Sequence, residues 1–179
     1  MLDKICKNLS MQCRFGGDVR RFYSVAEHTV HMVDQARKDG APLALQLALW
    51  LHDAPEAFTG DLLPIVKKVP EIAAAYAPIE SRVMTRICHA LNISRVAGMN
   101  ALQAPDVHVY DQAILAAEAE FIANPQPDWE PYDSADPLHV AFGQRVTATE
   151  WLADDFPYWQ GAMRQRFELI MQELHNEPA

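Results

Sequence analysis

The run Ala41-Pro42-Leu43-Ala44-Leu45-Gln46-Leu47-Ala48-Leu49-Trp50-Leu51-His52-Asp53-Ala54 decides the fold class. Pro42 suits the first turn of a helix, where a missing N–H has no partner to lose. Apolar side chains then fill almost every position, so no face remains for water. A helix that is greasy all round belongs at the centre of a helical bundle. It ends on an ionisable pair, His52-Asp53, which is out of keeping with such surroundings. Burying both without partners is expensive, and a divalent cation is one good way to satisfy them together.

Working outward, Ser24-Val25-Ala26-Glu27 has the form of a capping box and predicts a helix over about 25–38, stopped by Lys38-Asp39-Gly40. Three-and-four apolar spacing predicts further helices over about 71–91, 105–123, 138–153 and 157–175. Prolines at 125, 127, 131 and 137 mark residues 124–137 as a loop or lid. Alternating β-type runs are nearly absent, and no repeat or second-domain boundary interrupts the chain. The expectation is a single all-α domain over residues 1–179, with six or seven helices, its chemistry-bearing core at about 10–123 and C-terminal helices over 138–179.

The chain has 179 residues, half of them apolar, which suffices for a sizeable core. Fifteen Lys and Arg against 24 Asp and Glu give a net charge of −9, which argues against a coat for nucleic acid or an anionic membrane. The imbalance is local. Residues 105–155 hold 11 acids and one base, whereas residues 1–68 hold 9 bases and 8 acids, so a small anion is not excluded. The cysteines Cys6, Cys13 and Cys88 show no CxxC spacing, which suits a reducing compartment. With no long apolar run or signal-type segment, a soluble cytoplasmic protein is expected.

Helices joined by a short Gly-Ala-Pro turn should be antiparallel neighbours, which brings His28, near the start of one, to His52, near the end of the next. His31 lies one turn further and fits better as a core or solvated histidine. Asp111, before the alanine-rich face of the helix over 105–123, is the best carboxylate to complete a set of two His and two Asp. Such a set leaves positions open for water and a phosphate oxygen. Glu56, three residues after Asp53, could serve as acid/base group. Asp61 lies in the turn Thr59-Gly60-Asp61-Leu62, followed by Lys67-Lys68. Upstream, Arg14-Phe15 before a glycine pair suits a phosphate clamp beside a stacking platform, with Arg20, Arg21 and Lys68 as further cations.

The pattern SVAEHT…LHDAPEAFTGDL…K…D resembles the HD-domain metal-dependent phosphohydrolases. More narrowly it is similar to the YfbR-type 5′-deoxynucleotidases and to YfdR-like prophage and phage nucleotide hydrolases, among them phage deoxyadenosine triphosphate triphosphohydrolases. The resemblance implies a helical HD fold and a divalent metal (Mn, Co, Zn, Ni or Fe) held by His28, His52, Asp53 and Asp111. It further implies Glu56 as the catalytic glutamate, Asp61 near the substrate, and Arg14 and Lys67 on phosphate. The family's tryptophan beside that arginine is Phe15 here, a departure at the position that discriminates 2′-deoxyribose. The implied substrate is a nucleoside mono- or triphosphate, and the implied assembly a homo-oligomer. Alternatives are an HD phosphodiesterase, a guanosine tetraphosphate hydrolase (although no GYP signature occurs) and a non-catalytic nucleotide sensor.

Overall fold

Ser24 starts the first long helix, α2 (Val25–Lys38), its hydroxyl accepting from the Glu27 N–H at 3.0 Å. Only half of the expected box forms, because the Glu27 carboxylate turns to Arg21 instead. The next helix, α3 (Leu43–Leu51), buries Leu47, Ala48, Leu49, Trp50 and Leu51, as its all-round apolar character requires. The Trp50 indole N–H donates to the Met163 carbonyl at 2.9 Å, so the ring is buried with its polar atom satisfied. α2 and α3 pack directly on each other.

This computed structural model describes residues 1–93, 105–124 and 136–177. The proline-rich loop expected at 124–137 falls, apart from its ends, outside the described residues. The remaining helices are α1 (Leu2–Ser10), α4 (Glu56–Thr59), α5 (Pro64–Lys67), α6 (Pro70–Ala90), α7 (Pro105–Phe121), α8 (Pro137–Ala148) and α9 (Phe156–Asn176). Among the described residues, seven of the nine helices have at least nine residues and no strand occurs, so the fold is all-α. One apolar core joins α1, α2, α3, α7 and α9 through residues such as Ile5, Leu9, Met32, Trp50, Ile114 and Phe167.

Several elements depart from expectation, and the nine helices among the described residues exceed the six or seven expected, partly through the four-residue α4 and α5. α1 was not foreseen, yet Ile5, Cys6 and Leu9 are buried against the C-terminal helix. The helix expected over 138–153 stops at Ala148, and Glu150–Leu152 form a separate short 3₁₀ turn. Thr149 is the cause: its hydroxyl reaches the Arg145 carbonyl at 3.1 Å and Glu27 at 3.1 Å, competing with the helix for partners. The apolar face of α9 (Trp159, Ala162, Met163, Phe167, Ile170) closes the core.

A candidate metal centre and its groove

His28 lies in the first turn of α2. His52 and Asp53 follow the last turn of α3, and Asp111 sits in the second turn of α7. Pro55 ends α3 here. Lacking an N–H, it cannot continue the hydrogen-bond ladder, and the Leu51 carbonyl takes the Ala54 N–H at 2.9 Å instead. The resulting tight turn projects both ionisable side chains inward. The Nε2 atoms of His28 and His52 lie 3.2 Å apart, and Asp53 Oδ2 is 3.6 and 3.1 Å from them. Asp111 Oδ1 approaches His28 Nε2 to 3.6 Å. His28, His52 and Asp53 form a cluster that could hold a metal ion.

The donor chemistry fits a cation. His28 Nδ1 is 2.6 Å from Glu118, and His52 Nδ1 is 2.7 Å from the Leu49 carbonyl, so each Nδ1 carries its ring hydrogen toward an acceptor. In neutral rings that leaves two Nε2 lone pairs facing one another beside two carboxylates, which only positive charge can reconcile. Burial opposes charging His52, but the adjacent Asp53 carboxylate outweighs it and draws the imidazole up to about 9. Burial likewise disfavours the Asp53 anion, yet His52, His28 and Arg14 hold it well below the usual carboxylate range. A proton thus takes up the same attraction that a metal would, and the two must compete.

The other expected residues line one groove of about 540 Å³ that opens from Asp53 and Asp111. Glu56, Asp61, Arg14, Phe15 and Lys67 all border it, with Lys68. Glu56 is 5% exposed rather than a surface acid; its Oε1 accepts from Lys67 Nζ at 3.1 Å, while Oε2 is buried with no hydrogen-bond partner among the described residues. Burial, then Asp53 and Asp61, push the Glu56 carboxyl up to about 8, and burial also raises Asp61. The apolar part of the lining comes from Leu62, Leu63, Pro64 and Leu115 with Phe15. Phe15 has φ +58°, a left-handed conformation uncommon for a bulky residue, next to Gly16 at φ +62°.

Arg14 and Lys67 are both engaged. Arg14 Nε donates to Glu118 at 3.1 Å and Nη1 to Asp53 at 3.4 Å, while Lys67 also reaches Glu80 at 3.4 Å. Burial works against the Arg14 charge, but Glu118 and Asp53 hold it firmly protonated. The segment carrying Arg14 is pinned at both ends, by Arg14 N–H to the Tyr23 carbonyl (2.9 Å) and Arg20 N–H to the Ile122 carbonyl (2.8 Å). α1 and the residues after it steady the other side. Asn8 donates to the Ala57 carbonyl at 2.8 Å, and Gln12, with its amide turned to satisfy both ends, bridges the backbones of Glu56 and Asp61.

Of three further residues, Arg21 reads otherwise than expected, His31 reads as expected and Glu118 was missed. Arg21 does not offer a phosphate contact. It forms a two-pronged ion pair with fully buried Glu27 (2.9 and 3.2 Å), and neither residue lines the groove. Replacing Arg21 by alanine is therefore expected to lower stability by about 2–3 kcal/mol, by leaving the Glu27 charge short of its strongest partner. Chemical denaturation checks the loss, with metal binding unchanged in the folded protein. His31, 3% exposed and in edge contact with Trp159, is a core histidine outside the cluster. Glu118, wholly buried against His28 and Arg14, was not anticipated, although its spacing of two helical turns from Asp111 could have pointed to it.

Comparison of the sequence with known protein families finds no match, and neither does a search of curated proteins. No helix among the described residues is long and apolar enough to cross a membrane.

Proposed function

We propose that this chain is a metal-dependent phosphohydrolase of the HD type acting on nucleotides. Its substrates would be deoxynucleoside mono- or triphosphates, with deoxyadenosine nucleotides first among them. The observation that carries the reading is the meeting of His28, His52, Asp53 and Asp111 beside a groove whose lining combines the cations Arg14, Lys67 and Lys68 with apolar side chains. An anion of phosphate size suits the cations, and a flat, weakly polar base suits the apolar side chains.

His28, His52, Asp53 and Asp111 would hold the divalent ion. Nitrogen and oxygen donors suit Mn, Co, Ni, Fe or Zn. Bound there, such an ion would polarise a phosphate oxygen and lower the pKa of a water molecule. Glu56 supplies the proton relay: one carboxylate oxygen is fixed by Lys67, and the other has no hydrogen-bond partner among the described residues. Arg14 sits where it can shift from Asp53 to a phosphate oxygen while Glu118 keeps its Nε in place. Lys67 and Lys68 add charge along the groove, and Phe15 offers a ring to the sugar or base.

The test is a screen of deoxy- and ribonucleoside mono- and triphosphates with Mn²⁺ and Co²⁺, reading phosphate, pyrophosphate and triphosphate. Release of one of these from a deoxynucleotide is expected. Failure to hydrolyse any nucleotide by protein that has bound metal would overturn the reading in favour of a nucleotide-sensing protein.

A further inference from the structure

We infer that Glu118 is the positioning residue of the metal centre, one carboxylate that orients a metal-ligating histidine and the phosphate-facing arginine together. The inference rests on the reading of His28 as a metal ligand. Glu118 is fully buried on α7, two turns beyond Asp111 and on the same helical face. One oxygen, Oε1, is 2.6 Å from His28 Nδ1, and the other, Oε2, is 3.1 Å from Arg14 Nε.

Each contact has a consequence. Holding the hydrogen on Nδ1 fixes the His28 tautomer and turns the Nε2 lone pair toward His52 and Asp53. It also makes the ring a stronger donor, as a carboxylate behind a ligating histidine does. Holding Nε leaves the Arg14 guanidinium free to turn only about that anchor, with Nη1 swinging between Asp53 and the groove. α7 therefore contributes both a ligand, Asp111, and the brace of another ligand. A carboxylate kept merely to balance charge would need neither the tautomer-setting contact nor this geometry on both partners.

Glu118→Gln tests this with the whole chain. The amide has nearly the same shape, but its NH₂ cannot accept, so one of the two donors loses its partner. Zn²⁺ serves as the probe, by calorimetry and by ¹⁵N NMR of the histidine rings. In wild type, Zn²⁺ is expected on His28 Nε2, with the hydrogen retained on Nδ1. In E118Q the Zn²⁺ dissociation constant should rise by about 10- to 100-fold, with circular dichroism unchanged. Zinc on His28 Nδ1 in wild type would overturn the inference without needing the variant to fold. So would a folded E118Q that binds within about twofold of wild type. Should wild type bind neither Zn²⁺, Mn²⁺ nor Co²⁺, the metal reading itself fails, and that result is distinct from either of these.

Discussion

Asp53→Ala is expected to strip the protein of bound divalent metal and to reduce nucleotide hydrolysis on the order of 10³-fold, the several kcal/mol of charge stabilisation that a metal supplies. Asp53 is the residue on which the centre turns, since a single oxygen faces both histidines and Arg14, at 3.1, 3.6 and 3.4 Å. Without it, two imidazoles and Asp111 remain, and Arg14 keeps its ion pair with Glu118. Elemental analysis after equilibration with metal measures the first effect, and steady-state kinetics the second. Full retention of metal by the variant would sink the proposed centre.

The same substitution has a pH signature in the metal-free chain. The folded His52 value is raised, so its share of stability is complete below the ordinary 6.5 and disappears as pH rises through about 9. Asp53 is depressed, so its share is complete above the ordinary 3.8 and disappears as pH falls through its lowered value. The stability gap between wild type and Asp53→Ala should therefore be widest between 3.8 and 6.5 and narrow toward pH 9. Denaturant titrations across that range, with chelator present, measure it. A gap that widens above pH 9 would contradict the pairing of the two groups.

Most of the long helices were legible from three-and-four apolar spacing, and several also carry a start signal. Ser24 marks one start, Pro70, Pro105 and Pro137 sit at the first positions of three others, and the apolar run before His52 places α3 at the centre. α1 was missed although Leu2, Ile5, Cys6 and Leu9 carry the three-and-four spacing of an amphipathic helix; nine residues are too few to hold a helix alone, and α1 is fixed by packing on α9. The site shows the same division. His52-Asp53 is conspicuous because the preceding residues are so apolar, and the short turn after α2 brings His28 to it. Arg21 and Arg14 look alike in sequence, both beside an aromatic residue, yet one braces a buried glutamate and the other faces the groove. Only the path of residues 11–24 across the end of α7 separates them. Glu118 was hidden among alanines for a related reason: its role depends on which face of α7 meets α2.

Glu56→Gln should lower turnover by about 10²–10⁴-fold while leaving metal binding intact, and should also make the metal-free protein more stable. The first part follows from Glu56's place on the groove wall and from its Oε2, which has no hydrogen-bond partner among the described residues, since a carboxamide cannot accept and return a proton. The second follows from burial. The Glu56 carboxyl is raised from its ordinary 4.5 to about 8, so the folded state prefers it neutral while the unfolded chain ionises it freely. An acid raised in this way costs stability increasingly as pH climbs from the unfolded value to the folded one, and glutamine, always neutral, escapes that cost. The variant's advantage should be absent near pH 4.5, grow toward pH 8 and then level off. Lys67 gives up one carboxylate partner but keeps Glu80, so the loss there is partial. Thermal melts over that pH range, with metal content and turnover measured on the same samples, separate the two effects. Hydrolysis that survives the substitution would remove Glu56 from the mechanism. A variant with no gain at pH 8 would mean that Lys67 fully compensates the buried carboxylate. If both expected results are obtained, the chain retains at residue 56 a carboxylate that weakens its own fold, and proton transfer in the groove is the function that accounts for keeping it.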